Sequence, residues 1–233
     1  PPTGPSDHVG VHEQKDGKRY VGAAPTVGRV SGSILTALAG LLESVGSDRL
    51  RFTPHQKLVL LDIPTEQVDH VVGVVESLGL RTAPSAFRRS TMACTGIEFC
   101  KLAIVETKAT AAAAITELES RLADLDLDQA ISLNVNGCPN SCARIQTADI
   151  GLKGQIITVD GEQVPGFQVH LGGGLAGEDR AEPELGRTVR GVKVSADHLP
   201  DYVERVVRTW SDQREPGESF GTWAHRADEA VLA

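Results

Sequence analysis

Two hydrophobic periods alternate along the first third of this chain. In "SGSILTALAGLLESVG", Ile34, Leu35, Leu38, Leu41, Leu42 and Val45 fall on one face at helical spacing. Serine opens the run and Gly46 closes it, the residue types that cap a helix at its two ends. "PTEQVDHVVGVVESLG" repeats the device, with Val68, Val71, Val72, Val75 and Leu78 inward and Gly79 at the C-terminal cap. Around these helices lie shorter runs of strand character. "VGVHEQKDGKRYVGAAP" turns at Lys15-Asp16-Gly17 as a hairpin, and "RLRFT" and "KLVLLDI" read as strands. Residues 9–80 thus predict one α/β unit.

"LRTAPSAFRRS" breaks the pattern, so 81–89 is read as a linker, and a larger unit is expected over 90–230. A long helix is predicted over about residues 105 to 123, with Ile115, Leu118 and Leu122 inward behind an alanine-rich surface. "AISLNVNG" is a buried strand ending at Gly137, directly before Cys138. "ADIGLKG", "QIITVD" and "GFQVHLGG" give further strand signals, "SADHLPDYVERVVRTW" and "GESFGTWAHRADEAV" read as closing helices, and "GGGLAGEDRAEPELGR" as a charged surface loop. The fold class is α/β, of the mixed α+β kind.

Composition narrows the function. The chain has 233 residues, 40% hydrophobic and 23% charged, with a net charge of −8. An acidic protein of this kind is not expected to bind nucleic acid or an anionic membrane non-specifically. No apolar run reaches the roughly 20 residues that span a bilayer, and "PPTGPSDHVG" lacks the pattern of a secretory signal. A cytoplasmic location is the expectation. The chain starts Pro-Pro and its one methionine is Met92, so the sequence is expected to be part of something longer.

The four cysteines carry the chemistry. Cys94 and Cys100 stand in "STMACTGIEFCKLAIVETK", and Cys138 and Cys142 in "NGCPNSCARIQTADIGLKG". Structural disulfides are disfavoured in a reducing compartment. Cys138 and Cys142 have the spacing of a zinc knuckle, but Cys94 and Cys100 are too far apart for one. Four buried core cysteines would not need the glycines and polar residues that surround these. A [4Fe–4S] cluster fits best, because thiolates on wide loops suit a body larger than one ion. Gly96 and Gly137 would let backbone approach its sulfides and Pro139 would stiffen the turn, with zinc remaining the second reading.

At this point the residues resemble a known family. Cys94-TGIEF-Cys100, then Gly137-Cys138-PNS-Cys142-ARIQTA-Asp149-Ile150-Gly151-Leu152, resembles the siroheme–[4Fe–4S] signature of sulfite and nitrite reductases. "KLAIVETK" and "GFQVHLGGG" are similar to the same family, and the likeness covers nearly the whole chain. The resemblance implies a ferredoxin-like half-domain over 9–80 and a siroheme/[4Fe–4S]-binding domain over 90–230. It implies that Cys94, Cys100, Cys138 and Cys142 ligate the cluster, and that Cys142 also bridges to the siroheme iron as its axial ligand. Asn140 and Gln56 are implied siroheme neighbours, against the plainer readings of a turn asparagine and a strand-edge glutamine.

The implied activity is ferredoxin-dependent reduction of sulfite to sulfide by six electrons, with assimilatory reduction of nitrite to ammonia as the alternative. From another class, a zinc-stapled binding module remains. The resemblance covers only the C-terminal half of the family, whose anion-clamping bases lie in the N-terminal half. No catalytic residue is therefore assignable here, the missing half is an expected partner, and the piece alone is expected to be inactive. Arg144 and Lys101 flank the cysteines, as bases for siroheme carboxylates or for an acidic donor protein, against the plainer reading of solvated bases. Met92 and Phe99 are expected to pack around the cluster, and His170 is read as structural.

Overall fold

In the computed structural model, residues 7–127, 129–176 and 183–233 are described, so the middle of the predicted charged loop lies outside them. The chain divides into two units, Pro1–Arg89 and Ser90–Ala233.

In the first unit β1 (Gly10–Glu13) and β2 (Arg19–Ala23) form the antiparallel hairpin. Its turn closes with Gln14 N–H donating to Lys18 O at 2.9 Å, and Gly17 takes the left-handed φ of +84° that the turn needs. Helix α1 (Gly32–Ser44) starts where Ser31 Oγ accepts from Ile34 N–H at 3.2 Å. It is followed by β3 (Leu50–Phe52), β4 (Leu58–Ile63) and α2 (Val68–Ser77). The sheet order is β1-β2-β4-β3, antiparallel throughout. Leu38, Leu41 and Leu42 of α1 meet Val71 and Val75 of α2 over Val21, Leu58 and Leu60. The period read in the sequence is the period that is buried.

Residues 81–89 are folded. Arg81 and Ala24 exchange backbone hydrogen bonds of 2.7 and 3.2 Å, and Phe87 of the short helix α3 (Ala86–Ser90) is buried. Arg89 donates twice to the Asp7 carboxylate at 2.6 Å.

The second unit is built on a five-stranded sheet of order β5-β6-β7-β8-β9. After β5 (Thr91–Ala93) comes α4 (Lys108–Arg121), then β6 (Leu133–Asn136), β7 (Ile150–Val159), β8 (Glu162–Leu171) and β9 (Arg187–Ser195). The β5–β6 and β6–β7 pairs are parallel and the other two antiparallel. Helices α5 (Leu199–Gln213), α6 (Phe220–Arg226) and α7 (Glu229–Leu232) close the unit, with Trp210, Phe220 and Trp223 in its core.

Three sequence expectations are corrected here. The helix expected from residue 105 begins at Lys108, because residues 104–107 are tied to the cysteine loops instead. Its alanines are not all surface: Ala111 and Ala114 are buried, since small side chains let α4 lie close to the sheet. "ADIGLKG" and "QIITVD" are one continuous strand, β7, which turns back into β8 through Asp160 and Gly161, both at positive φ.

Candidate functional site

Parallel pairing places the first cysteine beside the third. Ala93 of β5 is level with Val135 of β6, and the next N–H, that of Cys94, donates to Val135 O at 3.0 Å. The chain after β6 continues through Gly137, whose N–H donates to Cys94 Sγ at 3.2 Å. Cys94 and Cys138 therefore leave the sheet at the same edge, the carboxyl ends of parallel strands, where open α/β sheets place their ligands.

The loop between Cys94 and Cys100 folds back on this pair. Gly96 has φ +73°, and a Cβ there would lie 2.5 Å from Thr107 Oγ1. Thr107 needs that space, because its hydroxyl donates to Cys94 O at 2.7 Å. Cys100 N–H donates to Gly96 O at 3.0 Å, and Ile104 N–H donates to Gly137 O at 2.7 Å. Gly137 is held on both sides, its N–H by a cysteine sulfur and its carbonyl by the return of the first loop. A Cβ on it would stand 2.9 Å from Val105 O.

Asn136 organises the last two cysteines. It is fully buried, its Nδ2 donates to Cys138 O at 2.9 Å, and its Oδ1 accepts from Ala143 N–H at 2.7 Å. One amide thus spans the turn that contains both cysteines. Ser141 and Arg144 take left-handed φ of 57° and 56°. The Ser141 hydroxyl donates to Gln146 Oε1 and accepts from Ile145 N–H, which fixes the turn's exit. Asp149 Oδ2 accepts from both the N–H and the hydroxyl of Ser132, joining the loop's far end to the start of β6.

Burial grades across the four thiols. Cys138 is buried, Cys94 and Cys100 are half-buried, and Cys142 is exposed, as is its neighbour Asn140. Among the described residues, no three His, Cys, Asp or Glu side chains form a group that could hold a metal ion. The fit to a larger cluster rests on the donor set: four thiols on two loops, of which Cys94 and Cys138 follow adjacent parallel strands, with an N–H already aimed at sulfur and glycine where backbone must come close.

The remaining predicted residues are placed as follows. Met92 is buried, and Arg144 Nη2 donates to its sulfur at 3.3 Å. Phe99 is 78% exposed, and Ile97, Leu102 and Ile104, near it in sequence, are exposed as well. Lys101 is exposed. His170 Nδ1 lies 3.1 Å from Thr188 Oγ1, and burial pushes its pKa below the usual histidine value, in keeping with a neutral structural role. Gln56 belongs to the first unit, with φ +58°, packed on Gly28, where a Cβ would come within 2.6 Å of its own. It lines a cavity of about 230 Å³ with Pro25, Gly28, Val30 and Lys57 among others. Asn136, Thr107 and Lys57 were not singled out from sequence. Asn136 alone carried a signal, as a polar residue inside an otherwise apolar strand two positions before a cysteine.

Adjacent parallel strands thus deliver the first cysteine of each motif at one end of an α/β sheet, and the family comparison gives the class as an iron–sulfur domain. Residues 85–231 match the family model described as the nitrite and sulphite reductase 4Fe-4S domain, and residues 12–77 that of the nitrite/sulfite reductase ferredoxin-like half domain. The chain belongs to the nitrite and sulfite reductase family. It is 56% identical over 232 residues to sulfite reductase (ferredoxin) 2 of Mycolicibacterium paratuberculosis, covering 98% of this chain and 41% of that protein. An assimilatory ferredoxin-dependent nitrite reductase of Haloferax mediterranei is 35% identical over 230 residues, covering 99% of this chain and 38% of that protein. A solved structure of the Mycobacterium tuberculosis NirA protein superposes with a TM-score of 0.94 at 52% identity, over 100% of this chain and 42% of that one. The chain thus spans about two fifths of the length of the relatives it matches. Among the described residues, no helix is long and apolar enough to cross a membrane.

Proposed function

We propose that this chain is the cluster-carrying part of a ferredoxin-dependent sulfite reductase, and that Cys94, Cys100, Cys138 and Cys142 hold its [4Fe–4S] cluster. The observation that carries this reading is the side-by-side exit of Cys94 and Gly137–Cys138 from β5 and β6, inside the segment that matches a 4Fe-4S family model. Cys142, the most exposed of the four, is the ligand assigned to share its sulfur with a siroheme iron. Asn140 beside it, and Gln56 in the first unit, are the proposed siroheme neighbours. When bound, siroheme and cluster would supply the redox chemistry for the six-electron reduction of sulfite to sulfide, with reduced ferredoxin as the electron donor.

The protein's own contribution is positioning. Gly137 N–H donates to the Cys94 sulfur and so fixes its position at the end of β5. Asn136 holds the Cys138–Cys142 turn in one conformation, so the two thiolates stay preorganised. The cluster reading is favoured over zinc by the family model.

Sulfite is preferred to nitrite as substrate because the sulfite reductase relative stands at 56% identity and the nitrite reductase relative at 35%. The remaining three fifths of the polypeptide, on this reading, bring the groups that clamp the anion. Turnover of the complete protein with reduced ferredoxin tests the assignment. The expected result is sulfide release with a higher kcat/KM for sulfite than for nitrite. A preference for nitrite, or no turnover of either with both cofactors bound, would overturn it.

A further inference from the structure

Asparagine followed by glycine is the dipeptide that closes to a succinimide most readily, because glycine sets no side chain in the way of its own nitrogen. The chain has three asparagines, all between residues 134 and 140. Asn134 precedes the β-branched Val135, Asn140 precedes Ser141, and Asn136 precedes Gly137. By sequence, Asn136 is the reactive one. By structure it is fully buried, whereas Asn140 is exposed.

Both reacting groups are occupied in the folded chain. The Gly137 nitrogen, which would attack, donates its hydrogen to Cys94 Sγ at 3.2 Å. The Asn136 amide, which would be attacked, donates through Nδ2 to Cys138 O and accepts through Oδ1 from Ala143 N–H. The Gly137 carbonyl accepts from Ile104 N–H at 2.7 Å and from Val105 N–H at 3.3 Å, which pins the next peptide as well. Gly154 completes the enclosure, since a Cβ there would lie 2.7 Å from both Asn136 O and Gly137 C. Cys94, Ile104, Val105, Cys138 and Ala143 all follow the strand ends from which the two cysteine motifs leave the sheet. The protection of Asn136 is therefore only as firm as those loops.

We propose that Asn136–Gly137 is a shielded modification site, which deamidates to aspartyl and isoaspartyl forms once the cysteine loops loosen. The Gly137 nitrogen bonds to Asn136 Cγ, the Cγ–Nδ2 bond breaks, and ammonia leaves with the proton that Gly137 gives up. Water then opens the succinimide at either carbonyl, and no electron is transferred. The change is one-way, and each product spoils the site. Aspartate sets a carboxylate oxygen against Cys138 O in a place built for an amide. Isoaspartate adds a carbon to the main chain before Gly137, which carries its N–H off the Cys94 sulfur. The proposal rests on the cluster reading for its latch: a cluster held by thiols of both loops keeps them closed, and its loss raises the open population. Cluster loss thus starts a clock after which the site cannot be rebuilt.

The test incubates the complete protein anaerobically at neutral pH in three states: cluster-loaded, cluster-free but folded, and unfolded with its thiols alkylated. Peptide mass and isoaspartyl content at Asn136 are followed over time, and iron per chain is read after reconstitution. The unfolded chain is expected to convert fastest. The cluster-free folded chain is expected to convert at least about tenfold faster than the cluster-loaded one, because modification through an opened state tracks its population. Iron uptake on reconstitution should fall in proportion to the fraction converted. Equal rates with and without the cluster overturn the proposal, as does full iron uptake by converted chains. A wild-type protein that purifies without iron sinks the cluster reading alone. The folded, iron-free chain then decides: conversion of Asn136 supports the site, and its persistence beside a converting unfolded chain overturns it.

Discussion

The N–H of Gly137 donates to the sulfur of Cys94 at 3.2 Å across the boundary between two parallel strands. This contact is among those that join the two cysteine motifs, which lie about forty residues apart in sequence. It exists because β5 and β6 are in register up to Ala93 and Val135 and end together.

Gly137→Ala is expected to disturb this junction without touching a cysteine. The new Cβ would stand 2.9 Å from Val105 O and 3.2 Å from the Ala103 Cβ, and backbone cannot give way cheaply. Overpacking of this kind costs about 1–3 kcal/mol. Urea unfolding should show a loss in that range, and iron per chain should fall in parallel.

Asn136→Ala removes both ends of the clamp on the Cys138–Cys142 turn. Each buried group left unsatisfied costs about 1–3 kcal/mol. The variant should lose stability by at least about 2 kcal/mol and lose iron faster to a chelator, with all four thiols intact. Asn136→Asp keeps the acceptor for Ala143 N–H but opposes Cys138 O with another oxygen, so it should not rescue. Iron retention equal to wild type in both variants would remove Asn136 from the site.

Lys57 gives a pH signature of defined sign. Its folded pKa, lowered from 10.5 to about 8 chiefly by burial, lies below its unfolded value. Between these values the unfolded chain binds the extra proton, so stability contributed by this group rises with pH from about 8 to 10.5. Below pH 8 the buried charge costs about 3 kcal/mol. K57M should therefore be more stable than wild type near pH 7, and that advantage should vanish by about pH 10.5. A difference independent of pH would contradict the depressed pKa.

Tyr202 offers the opposite sign. Burial raises its pKa to about 12, and its hydroxyl donates to Leu232 O at 2.9 Å. Its contribution is complete below pH 10 and is lost as pH rises towards 12. Tyr202→Phe should cost about 1 kcal/mol at neutral pH and flatten the alkaline limb of a stability–pH curve.

Much of the first unit was legible because its helices and strands are amphipathic in the plain sense. Leu38, Leu41, Leu42, Val71 and Val75 are spaced by the period that buries them. In the second unit the signals were weaker for identifiable reasons. In β9, "RTVRGVKVS" reads as a basic stretch, and Gly191 at φ +74° interrupts it, so no strand was expected there. Strand β5 is three residues long, too short for a period to register. At the site, the cysteines and the glycines Gly96 and Gly137 stood out by type and spacing. Asn136 and Thr107 did not, because their work is to bond carbonyls and N–H groups brought near only by the parallel β5–β6 pairing. Lys57 was read as part of a strand, and nothing local marks a lysine that tertiary packing buries.

The central claim is that Cys142 belongs to both metal centres. The most direct measurement is the absorption spectrum of the complete protein purified without air, compared with that of Cys142→Ser. The account predicts siroheme bands and cluster absorbance in the wild type, and a change in both from the one substitution. Loss of cluster absorbance with unaltered siroheme bands, or a colourless wild-type protein that retains stoichiometric zinc, would contradict it.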